Sequence, residues 1–147
     1  MNMIGLVVLG VLATFGTLAI VYAVLSRAAR RSEEAARREF PNAHRIEAGA
    51  LFFGQRSRGA AQMRGNGTLI FAPTELVFRQ WVVDREFRIP YRRIESLETP
   101  RSFLGKTQGA KLLQVNYVDG SGAQDAMAWR VRDLSATMRV IEELRTA

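Results

Sequence analysis

Hydrophobic and polar positions follow three successive patterns along this chain, and each change of pattern marks a new part. Residues 3–25 read MIGLVVLGVLATFGTLAIVYAVL, with no charged side chain. About twenty apolar residues suffice to cross roughly 30 Å of hydrocarbon as a helix, so this run predicts a transmembrane helix. Thr14 and Thr17 can bond back to carbonyls one turn earlier, and Gly5, Gly10 and Gly16 are tolerated in such a span. Tyr22 sits near one end, where its ring can reach the headgroup layer. A cleaved signal peptide would want a basic leading segment, a shorter apolar core and a small-residue cleavage site. This stretch offers none of them.

In residues 27–40, RAARRSEEAARREF, good helix formers carry charge and no breaker intervenes. The helix is expected to continue for several turns until Pro41-Asn42 disrupts it. Glu33 and Glu34 precede Arg37 and Arg38 by four residues, the favourable order for pairing along a helix. The plainest role for this stretch is a solvated spacer.

From about Leu51 the period becomes two. Residues 51–54, 68–71, 76–81, 87–89 and 93–98 predict short strands, and Pro90 stops the fourth. Leu113, Val115 and Tyr117 fall on one side of a further strand. Asp119-Gly120-Ser121-Gly122 has tight-turn chemistry, and Met127, Trp129 and Val131 return in step. The last change is to helical spacing. Asp133 is a good N-cap, and Leu134, Met138, Ile141 and Leu144 form one stripe.

The expected organisation is therefore a transmembrane helix over 3–25, a basic juxtamembrane helix and linker over 26–47, and a mainly-β domain over 48–147. The domain holds about seven antiparallel strands in a curled sheet or barrel, with the C-terminal amphipathic helix capping its open end. Roughly 100 residues are enough for one modest core.

The domain resembles the pleckstrin-homology (PH)-like superfold, in its GRAM-like, bacterial branch. The resemblance rests on Gly67-Thr-Leu-Ile-Phe-Ala-Pro-Thr-Glu-Leu-Val-Phe78 and on Phe87-Arg-Ile-Pro-Tyr-Arg-Arg-Ile-Glu-Ser-Leu97. The hairpin at Asp119-Gly120 and the closing helix complete it. These motifs are structural. The resemblance implies a binding module for lipid headgroups or proteins, and not an enzyme. It also points to the loop between the first two strands, where Arg56, Arg58 and Arg64 are candidate contacts for anionic lipid, since guanidinium forks suit phosphate.

Charge adds a direction. The chain carries 21 basic and 14 acidic side chains, for a net charge of +7. Arg27, Arg30, Arg31, Arg37 and Arg38 follow the apolar run and no basic side chain precedes it. Basic residues stay on the cytoplasmic side, so the expectation is an outside N-terminus and a cytoplasmic domain at a bacterial inner (plasma) membrane. Small residues recur four apart at Gly10/Thr14, Ala13/Thr17 and Ala19/Ala23, a spacing that can seat a second copy of the helix. Positive charge is scattered over the domain without an aromatic platform or recognition helix, which argues against nucleic acid.

Candidate chemistry is sparse. With no cysteine, disulfides, thiolate metal sites and cysteine nucleophiles are excluded. Gly105-Lys106-Thr107 mimics the end of a phosphate-binding loop, but Pro100 stands where its first glycine belongs. His44 lies alone in the linker. No nucleophile, base and oxyanion donor assemble, so no enzyme, cofactor or metal is expected. Phe103 and Leu104, beside Lys106, form a candidate membrane-facing loop that could equally tuck under the sheet. The functional expectation is a single-pass, non-enzymatic adaptor that binds a protein partner. The alternatives are a tethered sensor of anionic headgroups and a small accessory subunit of a membrane complex.

Overall fold

The computed structural model describes residues 2–147. Helix α1 spans Met3–Glu39 without interruption, and the side chain of Asn2 caps its start by accepting from Gly5 N at 3.0 Å. Thr14 and Thr17 bond back to the carbonyls of Gly10 and Ala13. The apolar part of α1 is exposed on all sides, with no buried residue in its most hydrophobic window. A helix apolar all round and covered by nothing of its own chain is, by composition and length, long and apolar enough to cross a membrane.

Nine strands follow, and seven of them form one antiparallel sheet. They are β1 (Arg45–Gln55), β2 (Gly65–Phe71), β3 (Glu75–Gln80), β4 (Glu86–Pro90), β5 (Ile94–Glu98), β8 (Leu113–Val118) and β9 (Gln124–Arg130), in the order β4-β3-β2-β1-β9-β8-β5. The small hairpin β6 (Ser102–Phe103) and β7 (Lys106–Thr107) stands apart. Helix α2 covers Leu134–Thr146, and Asp133 caps it by accepting from Ala136 N at 2.9 Å.

β1 is the hinge of the curl. Its first part pairs with β2 and its last part with β9, and the register shifts at Ala48/Ala50 and again at Phe52/Gly54. Such bulges bend a strand and increase its twist. Gly49 and Gly54, at φ +96° and +137°, supply the backbone freedom these bends require. The edge strands β4 and β5 are joined by a single turn at Tyr91–Arg93, which brings the two edges of the sheet together.

One face of the curl encloses the main core. Phe52, Phe78, Phe87 and Trp129 interlock there, with ring centroids 5.1–6.4 Å apart. Ile141 of α2 is buried in the same cluster, and Leu134, Met138 and Leu144 pack against it, so the predicted stripe is the face that closes the sheet. The hairpin pattern is also as expected, with Leu113 opposite Trp129 and Val115 opposite Met127.

The outer face carries two smaller clusters. Phe53, Phe103, Leu112, Ala126 and Ala128 gather under the β6–β7 hairpin. Ala36, at the end of α1, is buried on Ile70 and Val77, with Phe40, Ala43 and Ile46 around them. Instead of a solvated spacer, the last turns of α1 lie docked on the outside of β1 and β2 and reach Val77 of β3. The expected ion pairs Glu33–Arg37 and Glu34–Arg38 are present at 2.7 and 3.9 Å.

Candidate functional site

β1 ends, β2 begins, β3 ends and β4 begins at the same rim of the sheet, as the register Phe52–Gly65, Gly67–Gln80 and Arg79–Glu86 requires. The loops 56–64 and 81–85 therefore face each other across the open end. Between them lies a cleft of about 630 Å³, floored by Phe52 and walled by Gln62, Asn66 and Gln80.

The first loop is built rigidly. It starts with one 3-10 turn at Arg56–Arg58 and leaves it through Gly59 at φ +78°. The side chain of Gln62 closes it, accepting from Gln55 N at 3.0 Å and donating to the carbonyls of Gln55 and Gly59. Lys106 donates to the carbonyls of Phe53 and Gln62, so its ammonium staples the hairpin to this loop.

Beneath the loop sits Asp125, a buried carboxylate that sequence reasoning did not assign. It accepts from Ser57 N at 2.9 Å, Ser57 Oγ at 2.7 Å, Gln55 Nε2 at 2.7 Å and Tyr117 Oη at 3.1 Å. Burial alone would push its pKa up. The hydrogen bonds from Ser57, Ala126 and Gln55 outweigh burial and hold it below the usual carboxylate range. The signal was present as an acidic residue at a buried position of the most regular hairpin, but its partners lie about 70 residues away in sequence.

The three arginines singled out from the sequence do not form one cradle. Arg58 and Arg64 line the cleft, joined there by Arg85 from the opposite loop. Arg56 lies over the Phe103 ring at 5.7 Å and does not line it. Arg64 also stacks on Phe53 at 5.4 Å and donates to the Thr107 carbonyl at 3.3 Å. Of the two placements open to the Phe103–Leu104 loop, the structure has the tucked one. Phe103 is buried in the outer cluster, Leu104 is half-buried against it, and Lys106 is committed to two carbonyls. The reason is steric: Leu104 adopts φ +50° in the tight β6–β7 turn, and this directs its side chain over Gly54.

The exposed apolar residues of the domain lie instead on the two rim loops. Met63 is 87% exposed, Val82 94% and Val83 50%. Gln80 Oε1, at the cleft wall, is buried with no hydrogen-bond partner.

A second cleft of about 470 Å³ opens at the opposite end of the sheet, where α1 stops. Pro73, Pro90, Tyr91 and Leu144 give it an apolar wall, and Arg92 stands exposed at its edge. The Tyr91 hydroxyl is buried without a partner, and burial with the nearby Glu75 carboxylate pushes its pKa up. Among the described residues no cluster of His, Asp and Glu is arranged to hold a metal, and His44 lies exposed in the linker.

No family model matches the chain, and no curated protein matches it. Solved structures do. The C-terminal domain of an unknown protein from Leishmania infantum superposes with a TM-score of 0.56 at 13% identity, over 78% of this chain and 98% of that one. A chain of the 8S snRNP assembly intermediate superposes with a TM-score of 0.55 at 9% identity, over 71% and 83%. At such identities the likeness is one of fold: a mainly-β domain of this architecture.

Proposed function

We propose that this chain is a single-pass protein of a bacterial inner membrane whose PH-like, GRAM-like domain acts as a non-enzymatic adaptor on the cytoplasmic face. The observation that supports this reading is the continuity of α1. The helix that spans the bilayer also buries Ala36 on the domain, so the domain is a fixed head and not a ball on a flexible string. Glu39 pairs with Arg79 at 2.9 Å, and the guanidinium groups of Arg79 and Arg88 lie over the Phe40 ring, at 5.9 and 5.5 Å. A tethered module has no need to find the membrane. What a rigid mount adds is a defined presentation of the surface farthest from the bilayer to a second protein.

That surface holds the cleft beside Tyr91 and Arg92. Its apolar wall and exposed arginine suit a protein segment carrying an apolar side chain next to an acidic one. A photo-crosslinking side chain in place of Arg92, in the intact protein in its own membrane, should give one discrete protein adduct. The adduct should disappear when Leu144 is also replaced by Asp. If discrete adducts arise only from probes on the span, for example at Leu12, the accessory-subunit reading takes its place.

A further inference from the structure

We infer that α1 regulates the cleft at Tyr91 and Arg92: docking of its last turn holds Arg88 against Glu75, and so readies the cleft for an acidic segment of a protein partner. This rests on the adaptor reading and adds to it the means by which the N-terminal helix and the cleft sense one another.

The link follows from strand register. Arg79 lies opposite Glu86, Val77 opposite Arg88 and Glu75 opposite Pro90. Successive side chains of a strand point to opposite faces, and Leu76 and Phe78 belong to the main core. Arg79, Val77 and Glu75 therefore share the outer face of β3, with Glu86 and Arg88 beside them on β4. The last turn of α1 reaches this face. Ala36 is packed with Val77, Glu39 pairs with Arg79 at 2.9 Å, and the guanidinium groups of Arg79 and Arg88 lie over Phe40.

The charges on that face form one chain. One carboxylate oxygen of Glu86 accepts from Arg79 Nη2 at 2.6 Å, and the other accepts from Arg88 Nε at 2.6 Å. Arg88 Nη1 in turn donates to Glu75 at 2.6 Å. Glu75 is the far end of the chain, because it lines the cleft with Tyr91 and Arg92. A contiguous run of ion pairs thus leads from Glu39 of α1 to the cleft wall. A network of this kind fixes geometry in a way that an isolated surface pair does not.

Glu75 decides what the cleft can take. Burial, and then the field of Glu75, push the pKa of the Tyr91 hydroxyl up, so this carboxylate acts on the buried end of the cleft. An acidic side chain drawn in by Arg92 meets the same carboxylate, and like charges at short range repel. Arg88 offsets that repulsion while it stays on Glu75. Its side chain is 44% exposed, and an ion pair that open to water holds an arginine weakly. The Phe40 ring adds a face for the guanidinium at 5.5 Å. When the helix end lifts, Arg79 loses Glu39 and both guanidinium groups lose the ring. Docked and lifted are the two states, and an occupant of the cleft favours docking by the same factor as docking favours the occupant.

The coupling can be read in the full-length protein in phosphatidylcholine nanodiscs, with 3-fluorotyrosine at position 91 followed by fluorine NMR. Phe40→Leu removes the aromatic face but keeps an apolar side chain, and Glu39→Gln removes the first charge of the chain. Each should shift the resonance from position 91. Glu34→Gln, which breaks only the exposed pair with Arg38, should not. In an Arg88→Gln background neither Phe40→Leu nor Glu39→Gln should shift it further. Glu39→Gln preserves shape at an exposed position, so it decides the matter should Phe40→Leu disturb the fold. A resonance indifferent to Glu39→Gln, or one that still responds to it without Arg88, would overturn the inference.

The consequence for a partner is read in the protein's own membrane. A photo-crosslinking side chain at Thr74, which lines the cleft and leaves Arg92 in place, should give a protein adduct. Its yield should fall about two- to fivefold in Phe40→Leu and recover when Glu75→Gln is added. A yield unchanged by Phe40→Leu would remove the regulatory role even if the resonance moves. Absence of any adduct from positions 74 and 92 would instead remove the adaptor reading, while the fluorine resonance still decides whether helix and cleft are coupled.

Discussion

The hydroxyl of Ser32, on α1 beyond its apolar run, meets the hydroxyl of Thr68, inside the domain's sheet, at 2.6 Å. This contact and the burial of Ala36 four residues later set both the angle and the register at which the domain is held. Ala36 is almost fully buried against Ile70 and Val77. Ala36→Glu should place a charge against that apolar pair and lift the helix, at a cost of about 2–3 kcal/mol for the docked state. Spin labels on α1 and on β3 would show the separation broaden while the core of the sheet remains folded. An unchanged distance distribution would mean that the docking does not depend on this contact.

Gly67 is constrained by space, not by φ. A Cβ there would collide with the carbonyl of Arg79 and the ring of Phe78, both parts of the tightly packed β2–β3 pair. Gly67→Ala should therefore lower stability by about 3 kcal/mol or more, since neither backbone nor core ring can give way cheaply. Gly120→Ala, where a Cβ would meet nothing closer than an Arg93 side-chain tip at 3.6 Å, is the matched control. Chemical denaturation of the two variants in detergent, followed by tryptophan fluorescence, makes the comparison.

Much of this fold could be read from periodicity because burial and sequence pattern coincide. The N-terminal run is apolar on every side, Leu76 and Phe78 of β3 alternate into the main core, and the Leu113–Trp129 hairpin and the stripe on α2 each turn an apolar face to that core. The pattern failed where a buried position is polar or a bulge breaks the alternation. β1 begins at Arg45, earlier than its apolar run suggests. Glu47 is buried there and accepts from Arg132 N at 2.7 Å, and the bulge at Ala48/Ala50 follows. The docked end of α1 was hidden for another reason: its apolar contacts amount to one alanine and one phenylalanine in a highly charged helix. At the candidate site, Arg58 and Arg64 were legible as loop cations. Arg85 and the exposed valines were not, because only the pairing of β3 with β4 brings their loop across from 56–64.

Asp125 makes the rim acid-sensitive. Its carboxyl is held below the ordinary value by hydrogen bonds to the ionised form, despite burial that opposes this. A group depressed in the folded state adds stability that is fully present above its unfolded pKa of about 4 and is lost as pH falls through the lower folded value. Stability of the native protein should thus decline as pH falls below about 4. In Asp125→Asn that part of the decline should vanish, and stability near neutrality should drop by about 1–3 kcal/mol because Ser57 and Gln55 lose a charged acceptor. Denaturation midpoints across this range would check both statements. Parallel curves for the two proteins would contradict the assignment.

Two buried tyrosines should respond oppositely to loss of their hydroxyls. Tyr117 Oη donates to Asp125 at 3.1 Å and accepts from Gln55 at 3.0 Å, so Tyr117→Phe should cost about 1 kcal/mol or somewhat more. Tyr91 Oη is buried without a partner in the chain, and Tyr91→Phe removes a desolvated polar group while keeping the ring. That change should be neutral or stabilising by up to about 1 kcal/mol. The hydroxyl borders the cleft lined by Pro73, Pro90 and Leu144, which makes the variant informative twice. If a protein partner supplies the missing hydrogen bond, Tyr91→Phe should leave denaturation midpoints intact and still reduce the yield of the adduct formed from position 92. Unchanged yield would show that the partner does not reach the hydroxyl. A large loss of stability would show that the orphan group is satisfied within the fold.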